Sequence, residues 1–149
     1  MLPEPPTFPL NLKFNQYISR NFDGYVQSML IKVIDADVEY PINNTAISFI
    51  IEQMAGCNGV AIIRGANIQE QYRGKGYGTI INAYLERFAA CVGWSVILTS
   101  IVKGNAPMEA IMRRRGYTLF HDFRNDKTGN HVCLYFKNLK FKNDGNELA

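Results

Sequence analysis

The pattern of apolar and polar positions is clearest in the second half of the chain. Residues 59–68 form an almost continuous apolar run, typical of a strand buried on both faces, with a kink or bulge at Arg64-Gly65. Residues 94–102 are β-branched and apolar over the length of a strand. Between these runs, five large apolar side chains recur at helical spacing up to about residue 90: Ile80, Ile81, Tyr84, Leu85 and Phe88.

A second helix follows, and residues that favour helix termini mark both of its ends. Asn105 predicts the N-terminal cap, and Pro107 and Glu109 suit the first turn. Three arginines at 113–115 suit the negative end of the helix dipole, and Gly116 is typical of the residue that ends a helix.

The chain after this helix predicts a hairpin. Residues 117–123 and 131–136 have the composition of strands, and the polar loop 126–129 joins them. The order strand, helix, strand, helix, strand, strand predicts a single α/β domain over residues 1–149. Its expected architecture is a mixed sheet with helices on both faces and an antiparallel C-terminal hairpin.

The first 58 residues give weaker signals. Four of the six prolines lie within the first nine residues, so residues 1–10 are predicted to form an extended arm on the surface. The region 14–35 is apolar but poorly periodic and predicts one or two helices. A further helix is predicted between a cap at Asn44-Thr45 and an end at Gly56, since four apolar side chains follow the cap at helical spacing: Ile47, Ile50, Ile51 and Met54.

Composition narrows the class of protein. A chain of 149 residues that is 47% hydrophobic corresponds to one folded domain. It has no apolar run of about 18 residues and no basic region before an N-terminal apolar stretch, so neither a membrane helix nor a secretory signal is predicted. Cys57, Cys91 and Cys133 are odd in number and widely spaced, which favours a reducing, cytoplasmic compartment and predicts no metal site.

The charge distribution is uneven. The net charge of +3 is too small to indicate nucleic acid, but nine of the 16 basic residues lie between Lys103 and Lys142. Two interpretations stay open. These residues solvate the outer faces of a helix and a hairpin, or they form a site for an anionic ligand centred on Arg113, Arg114 and Arg115.

A glycine-rich turn, QYRGKGYG at residues 71–78, separates the first strand from the first helix. Gly74, Gly76 and Gly78 permit positive φ and a close approach of ligand to backbone. Turn amides and a helix N-terminus that point to one spot favour a phosphate or pyrophosphate. The structural alternative is a tight turn that simply requires glycine.

Two familiar phosphate loops are excluded by spacing. A Walker loop needs Ser or Thr after its lysine, and Lys75 is followed by Gly76. The dinucleotide fingerprint needs a third glycine three places after the second, and this position is Thr79.

The turn does match another motif. Arg73-x-x-Gly76-x-Gly78 resembles the Arg/Gln-x-x-Gly-x-Gly/Ala motif of the GNAT superfamily of N-acetyltransferases, which cradles the pyrophosphate of acetyl-CoA. A second landmark is similar as well, because Asn105 opens a helix that closes in Gly116-Tyr117. The resemblance covers residues 59–136, about half of the chain, and includes short phage-type members of the family.

The resemblance implies a fold and a cofactor site. The parallel strands 59–68 and 94–102 would splay apart, and the pantetheine arm would lie in the gap between them. A backbone N–H near Ile68 would hold the developing oxyanion, amides of residues 73–79 would hold the pyrophosphate, and the Asn105 side chain would reach the pantetheine or a phosphate. The implied cofactor-binding residues are Ile68, Arg73, Gly74, Lys75, Gly76, Tyr77, Gly78, Thr79 and Asn105.

The resemblance also implies a reaction, in which a primary amine attacks acetyl-CoA directly. The acceptor would be a small molecule or a protein, and the enzyme would form a homodimer, as family members often do. The family often places an acidic Tyr four residues before the glycine that ends the last helix, and here this position is Met112. The remaining candidates for an acid or base are Ser100, Tyr117, His121 and Glu70.

Two alternatives to this function stay open. Met112 and the unmatched first 58 residues favour a non-catalytic binding or structural module with the same fold. The basic C-terminal quarter favours an acetyltransferase that acts on a nucleic acid or an aminoacyl-tRNA.

Overall fold

Seven strands and two helices make up the part of the chain that the computed structural model describes, residues 2–39 and 43–139. The helices are α1 (Tyr77–Cys91) and α2 (Ala106–Arg114), and a short 3-10 turn at Glu70–Tyr72 precedes α1. The strands are β1 (Leu12–Arg20), β2 (Val26–Asp35), β3 (Thr45–Gln53), β4 (Val60–Ile68), β5 (Val96–Val102), β6 (Thr118–Arg124) and β7 (His131–Asn138).

All seven strands belong to one mixed sheet in the order β1-β2-β3-β4-β5-β7-β6. Only β4 and β5 pair in parallel, and every other neighbouring pair is antiparallel. This arrangement confirms the predicted α/β class, the mixed sheet and the C-terminal hairpin β6–β7.

The parallel pair separates halfway along its length, as the resemblance implies. Its register runs only from Val60 opposite Val96 to Ile63 opposite Thr99. Beyond that point the register of β4 against β3 shifts, and Gly65 takes a φ of +63°. This bulge confirms the predicted kink. The second half of β4 is exposed rather than buried on both faces, because β5 no longer covers its edge.

Both helices lie on the same face of the sheet, so the prediction of helices on both faces is wrong. The Tyr84 hydroxyl of α1 donates to Gln16 Oε1 of β1 at 2.5 Å. Lys137 of β7, on that same face by register, contacts Glu86 of α1 and the carbonyl of Arg115 just after α2. Since β4-α1-β5 and β5-α2-β6 advance in one direction, right-handed crossovers place both helices on one side.

The core fills the space between this face and the helices. Its side chains alternate along β5 and along β2 from Met29, as expected where only one face packs against helices, whereas β6 is exposed throughout. The largest fully buried side chains are Tyr84, Phe49, Phe88, Met29, Ile31, Ile47, Ile51, Ile81, Leu85, Ile97, Met112 and Val33.

The helices predicted over residues 14–35 are wrong, because this region forms the antiparallel hairpin β1–β2. Its buried positions follow period two from Met29 to Asp35. Leu30 and Ile34 are apolar too, although they lie on the opposite face and are only half buried. The alternation is therefore hidden in the sequence by apolar residues on both faces.

The helix predicted between residues 44 and 56 is wrong as well, since this segment forms β3. Phe49 and Ile51 are fully buried at strand spacing and pack beside the neighbouring strands. At the predicted cap, Asn44-Thr45, the structure has a local turn instead of a helix start. In this turn Asn43 Oδ1 accepts from the Thr45 amide at 3.0 Å. Gly56, with φ +73°, lies in the turn to β4 rather than at a helix end. The spacing of apolar residues in this segment is compatible with a helix, but pairing with the neighbouring strands makes it a strand.

Residues of the proline-rich N-terminal segment lie against the helical face. Phe8 stacks on Phe14 of β1 with ring centroids 6.1 Å apart, and it contacts Tyr77 at the start of α1 at 5.4 Å. Leu2 also packs against the core. This segment therefore reaches the glycine-rich turn.

Candidate functional site

A cleft of about 840 Å³ opens where β4 and β5 separate. Its floor and walls come from the end of β4, the glycine-rich turn, the first turn of α1 and the face of α2 that carries Met108, Ile111 and Arg114. A cleft of this size is typical of small-molecule and cofactor sites. The lining residues are Phe49, Ala66, Asn67, Ile68, Tyr72, Arg73, Gly74, Gly76, Tyr77, Gly78, Thr79, Gly104, Asn105, Ala106, Pro107, Met108, Ile111 and Arg114.

Eight of the nine predicted cofactor-binding residues line this cleft. The exception is Lys75, which is exposed but does not line it. The fold thus brings Asn105, thirty residues further along the chain, to the glycine-rich turn.

The glycine-rich turn leads directly into the positive end of α1. Gly74 and Gly76 take φ values of +75° and +83°, which L-residues rarely adopt. Gly76 is the N-cap, so no side chain caps the helix, and its first turn holds no acidic residue. The amides of Tyr77, Gly78 and Thr79 therefore keep the free N–H groups of a helix N-terminus beside the cleft.

Gly78 has a different role from the one its spacing predicts. Its backbone is helical and its φ is not positive. A Cβ at this position would lie 2.8 Å from Ile111 Cδ1 and 3.3 Å from Ile68 Cδ1. Gly78 thus allows α1 to approach α2 and β4 closely, which is a packing requirement in addition to any contact with a ligand.

Two side chains shape the walls of the cleft. Arg73 donates from Nε to the Ile68 carbonyl at 2.7 Å, which ties the turn back to the end of β4. Asn105 caps α2 as predicted, with its Oδ1 accepting from the Met108 amide at 3.3 Å. Its Nδ2 group carries two donors that this cap does not use.

The charge of the cleft has one sign. Among the described residues that line it, Arg73 and Arg114 are cationic and none is acidic. Neither arginine takes part in the ion pairs of residues 2–39 and 43–139. Two guanidinium groups beside the positive end of a helix create a field that favours an anion.

The three successive arginines after residue 112 have three different environments. Arg113 is exposed, Arg114 lines the cleft, and Arg115 pairs with Glu86 through two hydrogen bonds of 2.6 and 3.2 Å. The structure does not gather them into the single anion site considered above.

Glu86 is the centre of a buried polar cluster away from the cleft. Its side chain is 3% exposed and accepts from Arg115 and from Lys137 at 2.9 Å. The Tyr117 hydroxyl is buried beside this cluster without a hydrogen-bond partner among the described residues. Burial, with a further contribution from the Glu86 carboxylate, raises the pKa of Tyr117 well above its ordinary value.

None of the four candidate acid–base residues lines the cleft. Ser100 and His121 are exposed on β5 and β6, and Glu70 is exposed in the 3-10 turn. Tyr117 lies in the Glu86 cluster, and its raised pKa keeps the phenol protonated. Met112, where the family often has Tyr, is fully buried.

One pair at the cleft had no signal in the sequence. Tyr72 lines the cleft, and its hydroxyl donates to the carboxylate of Asp35 at the end of β2. This bond holds the pKa of Asp35 below its ordinary value and raises the pKa of Tyr72. The two residues are 37 positions apart, and only the sheet brings them together.

Residues 2–39 and 43–139 contain neither a cluster of metal-ligating side chains nor a membrane-spanning helix. No group of three His, Cys, Asp or Glu side chains there could hold a metal ion. Cys57 and Cys91 are exposed, Cys133 is buried, and all three are free thiols. None of the helices in this part of the chain is long and apolar enough to span a membrane.

Solved structures similar to this chain share one fold. A protein from Desulfovibrio desulfuricans assigned to the GNAT family of acetyltransferases aligns with a TM-score of 0.60 and 11% identity, over 75% of this chain and 69% of that one. A protein assigned as a phosphinothricin N-acetyltransferase aligns with a TM-score of 0.63 and 21% identity, over 80% and 77%. Mycobacterium smegmatis RimJ, solved in complex with CoA-disulfide, aligns with a TM-score of 0.60 and 17% identity, over 75% and 53%.

No family model matches the chain, and no curated protein sequence matches it either. The likeness is therefore one of structure. The chain has the fold of the GNAT acetyltransferases, which confirms the fold that the glycine motif and the Asn105 helix imply.

Proposed function

We propose that this chain binds acetyl-CoA in the cleft and transfers the acetyl group to a primary amine. One observation carries the proposal. Within the part of the chain that the structure describes, the cleft between the separated strands is lined by two arginines and no carboxylate, and it faces the uncapped positive end of α1. That arrangement fits the pyrophosphate of CoA, and a structural neighbour was solved with CoA-disulfide.

The proposed roles follow from where the residues lie. Amides of residues 74–79 bind the pyrophosphate, with the positive φ of Gly74 and Gly76 turning the backbone toward it. The unpaired edge of β4 up to Ile68 offers backbone groups to the pantetheine amides and to the thioester oxyanion. In the proposed reaction the amine attacks the thioester directly, so proximity supplies much of the rate.

The lining of the cleft bears on the class of amine. Among the described residues that line it, the titratable groups other than arginine are the phenols of Tyr72 and Tyr77, with no carboxylate or imidazole. Phenols are poor bases at pH 7, and Tyr72 already donates to Asp35 and has a raised pKa. Loss of the ammonium proton then falls to water. At pH 7 this costs about 1 kcal/mol for an α-amine with pKa near 7.8 but about 4.6 kcal/mol for a lysine amine. We therefore propose an acceptor with a low amine pKa, such as an N-terminal α-amine.

Calorimetric titration of acetyl-CoA tests the cofactor site. The informative variant is Gly76→Glu, because it puts a carboxylate into open space beside the cleft. Gly129→Glu is the matched control, since Gly129 has φ +74°, open space around it and a place in the distant β6–β7 loop. We expect micromolar binding by the wild type and the control, and at least tenfold weaker binding by Gly76→Glu. A folded wild type that does not bind acetyl-CoA would contradict the proposal.

A second candidate is a CoA-binding module without transferase activity. It is favoured by Met112 at the usual acid position and by the absence of the four acid–base candidates from the cleft lining. A turnover assay separates the two functions. CoA release in the presence of peptides with a free α-amine supports the transferase, and tight binding with no release for any amine supports the module.

The choice of acceptor and the homodimer are still predicted from the sequence and its resemblance to the family. The nucleic-acid alternative loses part of its support, since Arg115 and Lys137 are held by Glu86. A homodimer and a cytoplasmic location stay predictions of the sequence.

A further inference from the structure

Arg113, Arg114 and Arg115 follow one another in the sequence, but their side chains have unrelated surroundings. Arg115 is accounted for by its bidentate pair with Glu86, and Arg113 is exposed without a described polar contact. Arg114 alone lines the cleft. Its placement is not explained by helix stability, because Arg113 would suit the last turn of α2 equally well.

The contact that Arg114 makes is weak for a guanidinium group. Its Nη1 donates to Thr79 Oγ1 of α1 at 3.3 Å, and no other hydrogen bond to it is found within residues 2–39 and 43–139. A guanidinium has five N–H donors in a planar fork. Most of this hydrogen-bonding capacity is therefore available to a ligand in the cleft.

The electrostatic setting of Arg114 is unfavourable without an anion. Thr79 belongs to the first turn of α1, so the guanidinium lies at the positive end of that helix dipole. Arg73 lines the same cleft, and no acidic side chain among the described lining residues compensates either charge. An anion between the turn and α2 would reverse this balance.

We propose that Arg114 binds a phosphate group of CoA from the α2 side of the cleft, opposite the amides of the glycine-rich turn. The inference rests on the proposed function and adds to it a charged residue outside the motif. The pyrophosphate and the 3′-phosphate share the chemistry that a guanidinium fork recognises. Arg114 would thereby contribute to discrimination between CoA and uncharged thioesters.

Affinity measurements on matched variants test the inference. Arg114→Ala removes the fork at an exposed helical position that alanine tolerates. Arg113→Ala is the control. It removes the same charge from the neighbouring residue, whose side chain does not line the cleft. Circular dichroism melting checks that both variants fold. Arg114→Lys keeps the charge and removes the fork.

We expect Arg114→Ala to raise the Kd for CoA at least tenfold and Arg113→Ala to change it less than threefold. Arg114→Lys should give an intermediate value. The affinity of Arg114→Ala should also depend less steeply on salt than that of the wild type. Dephospho-CoA distinguishes the two phosphates, since loss of the Arg114 effect with this ligand assigns the 3′-phosphate and its persistence assigns the pyrophosphate.

Two outcomes would overturn the inference while leaving the proposed function intact. In the first, the wild type binds CoA and folded Arg114→Ala binds it within twofold. In the second, Arg113→Ala and Arg114→Ala weaken binding equally, which means that only the overall charge acts. A wild type that binds neither CoA nor dephospho-CoA overturns the proposed function itself.

Discussion

The N-terminus of α1 and its C-terminal half each meet one arginine from the end of α2, yet the charges around them are balanced in opposite ways. Toward its C-terminal half, Arg115 and Lys137 surround the buried carboxylate of Glu86. At its N-terminus, Arg73 and Arg114 line a cleft without any described carboxylate. The first cluster contains its own counter-charge and is structural. The second lacks one and is suited to an anionic ligand.

This difference implies that similar substitutions at the two ends affect different properties. Changes in the Glu86 cluster should lower the free energy of unfolding. They should reduce ligand binding only in so far as they reduce the fraction of folded protein. Changes at the cleft should alter affinity with little loss of stability.

Glu86→Gln should be the most destabilising of these changes. It removes the carboxylate that neutralises Arg115 and Lys137, and Lys137 is largely buried. Breaking a buried ion pair from one side costs about 3–5 kcal/mol, and the partial exposure of Arg115 favours the lower end, near 3 kcal/mol. Urea unfolding measures this loss in the free energy of unfolding. Glu70→Gln, at an exposed carboxylate, should change stability by less than about 0.5 kcal/mol. Equal stability of the two variants would refute a structural role for the cluster.

Gly78→Ala should have an intermediate effect that a second substitution relieves. The added Cβ would lie 2.8 Å from Ile111 Cδ1, so α1 and α2 must move apart or Ile111 must change rotamer. We expect a net loss of about 1 kcal/mol, since overpacking is partly offset by the better helix propensity of alanine. Ile111→Val removes the clashing methyl group.

The double variant Gly78→Ala/Ile111→Val separates packing from ligand contact. If Gly78 serves packing, the thermal midpoint and acetyl-CoA affinity of the double variant should exceed those of Gly78→Ala alone. Recovered stability with affinity still lost would instead mean that the alanine methyl group blocks the ligand.

Tyr72→Phe should change how stability depends on pH. In the folded chain the pKa of Asp35 is lowered, so its contribution is present above the unfolded value of about 3.9 and is lost as the pH falls through the folded pKa. The pKa of Tyr72 is raised, so its contribution is present below about 10 and is lost as the pH rises through the folded pKa.

Unfolding at several pH values measures this dependence. The variant should be less stable than the wild type near pH 7, and the difference should narrow at low and at high pH. A constant difference from pH 3 to pH 11 would contradict the role assigned to this pair. Tyr25→Phe is the control, since its side chain is exposed and makes no described hydroxyl contact.

Tyr117→Phe should have the smallest effect. The hydroxyl is buried and unpartnered in the described part of the chain, so its removal leaves no partner unsatisfied. We expect a stability within about 0.5 kcal/mol of the wild type, or slightly higher, and unchanged acetyl transfer. A large loss of turnover in a folded variant would place this residue in catalysis after all.

Prediction from sequence succeeded where local signals and the fold agree. Asn105, Pro107 and Gly116 mark α2 by their intrinsic preferences for helix ends, and the structure confirms each of these positions. The apolar spacing of α1 predicted a helix correctly, because one stripe of that helix packs on the sheet. The glycine motif is equally local, since positive φ at Gly74 and Gly76 is a property of the turn itself.

It failed where the structure depends on partners distant in the sequence. Strands β2 and β3 are apolar on both faces, and in β1 the polar Gln16 lies on the helical face, so neither period dominates. Antiparallel pairing across the sheet decides their conformation. The prediction that helices lie on both faces of the sheet failed for a related reason. The face on which each helix packs follows from the order of the strands, which no local pattern encodes.

The sequence by itself thus determined the parallel strand–turn–helix unit, the capped second helix, the hairpin and a turn suited to phosphate, because each depends on neighbouring residues. Only the tertiary structure decided which of the three arginines faces the cleft, that Gly78 is needed for packing against Ile111, and that Tyr72 meets Asp35. Those outcomes depend on how helices and strands far apart in the chain pack together, and a side chain's role is set by what lies opposite it in space.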